Sequence, residues 1–152
     1  MVDLITNFLT ADIRTATPLL LAALGLVFSE RAGIVNIGTE GIMLIGALLG
    51  CVGASFSGSS LVGALTAIFG GLVMSLIFAF FTITLRSNQI VVGTAFNIFA
   101  GGFTITLNRL LLNGAKVKGY VNLPVPGLSR IPVAGDVLFN WSLPVYFAFI
   151  CV

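Results

Sequence analysis

Residues 61–85 read LVGALTAIFGGLVMSLIFAFFTITL, twenty-five residues without one charged side chain. A helix needs about 20 mostly apolar residues to cross a hydrocarbon layer of roughly 30 Å. Each central Leu, Ile, Phe or Val contributes about −0.3 to −0.6 kcal/mol to insertion, so this stretch is expected to insert unaided. It does not alternate apolar with polar residues, which excludes a membrane β-strand and leaves an α-helix.

Outward from this stretch the chain repeats the pattern. Apolar runs at 13–28, 34–54 and 90–112 predict three more spanning helices, and another from 137 is still running at 152, which predicts a truncated fifth. The short connections SERAG, SFSGSS and RSNQ make neighbouring helices antiparallel. The Pro- and Gly-rich stretch at 113–136 is expected to be a loop without regular structure of its own. Pro18 falls in the first turns of the 13–28 helix, where proline is best tolerated. Ahead of it Leu4, Ile5, Phe8 and Leu9 form a stripe that suits a short helix on the membrane surface. The N-terminus has an acidic residue where a cleavable signal peptide has a basic one, so it is read as part of the mature protein.

Composition agrees. Of 152 residues 58% are hydrophobic and 8% charged, and the mean hydropathy is +1.15, against about 25% charged residues in soluble domains. The expectation is one all-α integral membrane domain over 1–152, a polytopic helical bundle of about five transmembrane helices. A net charge of +2 with no basic stripe argues against nucleic acid. Cys51 and Cys151 sit in apolar runs without metal spacing and are read as packing residues. There is no histidine, no nucleophile with a partner base, and no phosphate-cradling GxxxxGK[ST] loop, so no catalytic residue, metal or cofactor is expected.

Four polar residues stand out. Glu40 lies inside an apolar run, where an ionisable residue is by default a pathway or coupling candidate; the plainer reading is an acid near an interface, hydrated or paired with Arg31. Asn36 and Glu40, four apart on the 34–54 helix, share one face, which favours a polar edge turned into the bundle. Asn97, with Thr94 beside it, is an amide flanked at four-residue spacing by Gly93 and Gly101; it could bind substrate hydroxyls or simply join helices. The small residues Gly46, Gly50 and Gly53, and Gly63, Ala67 and Gly71, form stripes expected to pack closely. Phe78, Phe80 and Phe81 are read as lipid-facing or interfacial bulk. By insertion energy the 34–54 helix is near break-even and needs neighbours, which implies a packed bundle.

The run SERAGIVNIGTEGIMLIGAL at 29–48 closely resembles the signature of ABC importer permeases that handle nucleosides and simple sugars, a group related to ribose and branched-chain amino acid permeases. ATPLLLAALGLVFSE upstream, NQIVVGTAFNIFA at 88–100 and LPVPGLSRIPVAGDVLFN at 123–140 are similar to the same group. The resemblance implies the N-terminal half of a type II-like permease in a bacterial plasma membrane. It also implies a second permease, a cytoplasmic ATPase and an extracytoplasmic binding lipoprotein as partners. Family members span the membrane about twice as often, and the loop that docks the ATPase has no match here. The resemblance places SERAG and RSNQ in the cytoplasm and the Lys116 loop outside. Basic residues run the other way, with Arg31 and Arg86 inside against Arg14, Lys116, Lys118 and Arg130 outside, and the family orientation is preferred because the positive-inside rule is statistical. Other readings of the chain are an ion-coupled transporter or channel using Glu40, or an inactive fragment.

Overall fold

From residue 2 to residue 17 the chain has neither glycine nor proline, and nothing there stops a helix. In a computed structural model, which describes residues 2–112, 123–124, 140–141 and 143–151, helix α1 accordingly runs unbroken over Val2–Arg31. The expected surface helix and first span are one element. Pro18 therefore lies inside the helix rather than at its start. Beside it the hydroxyls of Thr15 and Thr17 donate to the carbonyls of Ala11 and Ile13 at 2.9 and 2.7 Å.

The remaining helices are α2 (Thr39–Ser57), α3 (Ser60–Ala79), which continues into a π-helical turn at Phe80–Thr84, and α4 (Gln89–Leu107), which continues into another at Asn108–Leu112. A last helix, α5, covers Leu143–Cys151. Among the described residues, four helical stretches are long and apolar enough to cross a membrane: Thr6–Arg31, Thr39–Ser57, Ser60–Thr84 and Gln89–Leu112. The chain is an all-α, multi-pass membrane protein. Its apolar outer surface follows: on α3 Leu65, Ile68, Phe69, Leu72 and Leu76, at helical spacing, are all exposed.

Two compact units divide the chain, Met1–Val27 with Tyr120–Val152, and Phe28–Gly119. In the first, a two-residue antiparallel pairing sets Leu123 (β1, Leu123–Pro124) opposite Trp141 and Pro124 opposite Asn140 (β2, Asn140–Trp141). The rest of the expected loop at 113–136 lies outside the described residues.

In the second unit α2 and α3 pack antiparallel through small residues. A Cβ added to Gly50 would lie 3.1 Å from that of Ala67, and one on Gly63 2.8 Å from that of Ala54 and 2.8 Å from the Gly50 carbonyl oxygen. Gly46 also faces the Ala67 carbonyl, Gly53 faces Thr66, and Gly71 looks toward Ile42 at 4.0 Å. No apolar driving force separates such helices from lipid, so close backbone contact holds them. The Thr66 hydroxyl adds a bond across the seam to the Leu49 carbonyl, 3.0 Å. Where α2, α3 and α4 converge, Ile45, Met74 and Ala100 are buried, with Ile42, Leu49 and Phe96 against them.

Candidate functional site where the second helix begins

Helix α1 ends in a Schellman motif. The Ile34 N–H donates to the Ser29 carbonyl (3.0 Å) and the Gly33 N–H to the Glu30 carbonyl (2.9 Å), while Gly33 takes φ 81°, a left-handed conformation that costs glycine nothing. The Ser29 hydroxyl closes the turn on the Ile34 carbonyl at 2.8 Å. The chain then stays irregular through Gly38, and α2 opens only at Thr39. The apolar pattern predicts a helix from 34; the first five residues of that stretch, 34–38, are instead non-helical.

Backbone groups in such a stretch need partners, and α4 supplies them. The Val35 N–H donates to Gln89 Oε1 at 2.7 Å. Asn97 Nδ2 donates to the Ile37 carbonyl at 3.1 Å, and Asn97 Oδ1 accepts the Gly41 N–H at 2.8 Å. Gly41 is the third residue of α2, whose first N–H groups have no partner within the helix. Gly38, the residue before the helix, provides no side-chain cap. Asn97 thus caps α2 from a different helix. It sits eight residues into α4, about 12 Å along its axis at 1.5 Å per residue.

Glycine makes the contact possible. A Cβ on Gly93 would lie 2.8 Å from the Ile37 Cβ and 2.9 Å from the Gly38 nitrogen; one on Gly41 would lie 2.8 Å from the Phe96 carbonyl oxygen and 3.0 Å from Asn97 Oδ1. The buried ring of Phe78 closes the floor, 3.2 Å from the position a Gly38 Cβ would take. It stands edge-on to Phe96 with centroids 5.6 Å apart. Phe80 and Phe81 are exposed as expected of interfacial bulk, but Phe78 turns into the junction of three helices and is 3% exposed.

The other sequence candidates fall around this clamp. Asn36 lies before α2, not on it, so its expected shared helical face with Glu40 does not exist; its Oδ1 is buried and accepts no hydrogen bond. Glu40 is exposed in the first turn of α2, where the helix dipole favours a negative charge. Thr94 is exposed and its hydroxyl donates to the Ile90 carbonyl of its own helix at 2.8 Å. Around Gly101 no described neighbour comes within 4 Å of an added Cβ. Sequence reading passes over Gln89 and Gly41. The signal for Gln89 is its place four residues before Gly93 and eight before Asn97, on one slowly turning stripe.

A family described as the permease component of branched-chain amino acid transport systems matches residues 8–152. The chain is 37% identical over 150 residues to a guanosine ABC transporter permease of Bacillus subtilis, covering 92% of this chain and 47% of the relative. It is 36% identical over 148 residues to a nucleoside ABC transporter permease of Lactococcus lactis, covering 89% and 46%. A putative glucose ABC transporter permease of Haloferax volcanii is 33% identical over 150 residues, covering 96% and 45%. The chain spans about half the length of these relatives. No solved structure matches.

Proposed function

Because the chain belongs to the permease-component family of branched-chain amino acid transport systems, we propose that it forms part of the translocation pathway of an ABC importer for a nucleoside or simple sugar. The observation that carries the reading is the helix start held inside the span of α4. Irregular backbone at such depth is tolerated in membrane proteins where it is buried in protein or lines a cavity, and helices interrupted near the midplane are where many transporters bind substrate. Two of the relatives carry nucleoside names and one a sugar name, which supports that substrate class.

In this reading Asn36, Glu40 and Thr94 border the path, and Asn97 stands behind them with both ends of its amide bound to backbone. Rocking of helix bundles around a site shared with a second permease would give alternating access. A cytoplasmic ATPase would supply the energy and an extracytoplasmic lipoprotein would deliver the substrate, in a bacterial plasma membrane. The chain itself performs no catalysis in this scheme.

The test is uptake of labelled guanosine and labelled glucose by cells carrying the full-length protein with its partner chains, with and without an inactivating change in the ATPase. ATPase-dependent uptake of either is expected. Uptake that survives loss of the ATPase but collapses with the membrane potential would overturn the reading.

A further inference from the structure

We propose that Asn97 and Gln89 are positioning residues for transport, fastening residues 35–41 to α4 so that the start of α2 moves with α4 as one body. The inference rests on the transport reading above and assigns the part of the machine that moves together.

Three bonds tie the segment to one helix at two levels. Gln89 holds the Val35 N–H, while Asn97 holds both the Ile37 carbonyl and the Gly41 N–H. On its other side the segment is joined to α1 by the Ser29 and Ile34 bonds and the glycine turn at Gly33. Gly93, midway between the two amides, lets the Ile37–Gly38 backbone lie directly on α4. At Asn97 only an amide of this length serves. It must donate to a carbonyl and accept from an N–H at once. A carboxylate could only accept, and would face the Ile37 carbonyl with a second oxygen. A leucine could do neither, leaving the Gly41 N–H and the Ile37 carbonyl without their partners. Thr94, next to this stripe, bonds its own helix and is the internal control.

The experiment pairs hydrogen exchange with uptake in the full-length protein and its partner chains. Asn97→Leu and Asn97→Asp are expected to speed exchange in the peptide spanning residues 34–42 by at least about tenfold, since each removes a tie against local opening. Their maximal uptake of labelled guanosine or glucose falls by about tenfold, the size of a coupling loss that one side chain can cause, with KM little changed. Gln89→Leu acts in the same direction, whereas Gln89→Glu keeps an acceptor for the Val35 N–H and restores both readouts. Thr94→Val removes a hydroxyl that bonds only its own helix and leaves exchange across residues 34–42 unchanged. Unchanged exchange in Asn97→Leu overturns the proposal, and so does a raised KM with unchanged exchange, which would make Asn97 a substrate contact. If the Asn97 variants do not fold, the Gln89→Leu and Gln89→Glu pair decides on the same readouts. Wild-type protein that transports neither probe would sink the transport reading, while exchange would still decide the clamp.

Discussion

Two helices of this chain begin in opposite ways. At the start of α4, Asn88 adopts an extended conformation (φ −62°, ψ 118°), and its own Oδ1 accepts the Ile90 and Val91 N–H groups at 2.9 and 3.4 Å. At the start of α2, Gly38 has φ −77° and ψ 4° and no side chain to offer; the cap is Asn97, fifty-six residues beyond the Gly41 N–H that it accepts. A local cap follows its helix wherever the helix goes. A borrowed cap ties one helix start to another helix, so it sets tertiary structure as well as helix length. The start of α4 is in addition exposed at Asn88, whereas Gly38 and Gly41 are buried.

The most damaging way to break this contrast is Gly93→Val. The added Cβ meets the Ile37 Cβ at 2.8 Å and backbone at 2.9 Å, and backbone has little room to yield, so overpacking is expected to cost about 3 kcal/mol. The expected outcome is a large drop in melting temperature in detergent, with exchange rising across residues 34–41. A melting temperature within error of wild type would show that α2 does not begin against α4.

Asn97→Leu comes next. It removes both bonds of the borrowed cap and strands the half-buried Gly41 N–H and the Ile37 carbonyl, a loss of about 2 kcal/mol. A second change sharpens the point: Gly38→Ser is not expected to rescue it. The backbone at 38 is not in the extended region a capping side chain uses, and the new Cβ would press on the Phe78 ring at 3.2 Å. Recovery of stability in the double variant would mean that α2 can be capped locally after all.

The same contrast explains what the sequence could show. Hydropathy makes the four spans legible, because each is long, apolar and nearly uncharged, and the end of α1 is legible in Gly33. Asn88, three residues before Val91 and just after a charged turn, is a readable local cap. The start of α2 is not readable in this way. Ile34, Val35 and Ile37 are apolar and continue the pattern of a helix, and what stops them from being one is held on another helix. Asn97 could be singled out as a polar residue on an apolar face, but its role required knowing which backbone it meets. Phe78 was hidden for a related reason: three phenylalanines near a helix end look alike in sequence, and only packing distinguishes the one that turns inward.

Asn88→Ala tests the local side of the comparison and should cost about 1 kcal/mol, the usual value of one N-cap. Its effect is expected to stay in the first turn of α4, with exchange rising at Ile90 and Val91 and not at Val35 or Gly41. Spread of the effect into residues 34–41 would show that the two starts are coupled and that the distinction between local and borrowed caps is too sharp.

The smallest effect is expected at Gly101, two steps of four residues beyond Gly93 on the same helix. A Cβ at Gly93 is blocked, whereas at Gly101 nothing described comes within 4 Å. Gly101→Ala should therefore change stability by no more than about 0.5 kcal/mol, and the better helix propensity of alanine pushes the change toward stabilisation. Melting temperatures of the two alanine variants, Gly93→Ala and Gly101→Ala, measured side by side isolate the contact with residues 37 and 38 from any general intolerance of α4 to alanine. Equal losses at both positions would mean that α4 is packed alike along this stripe, and that the broken segment holds no special place on it.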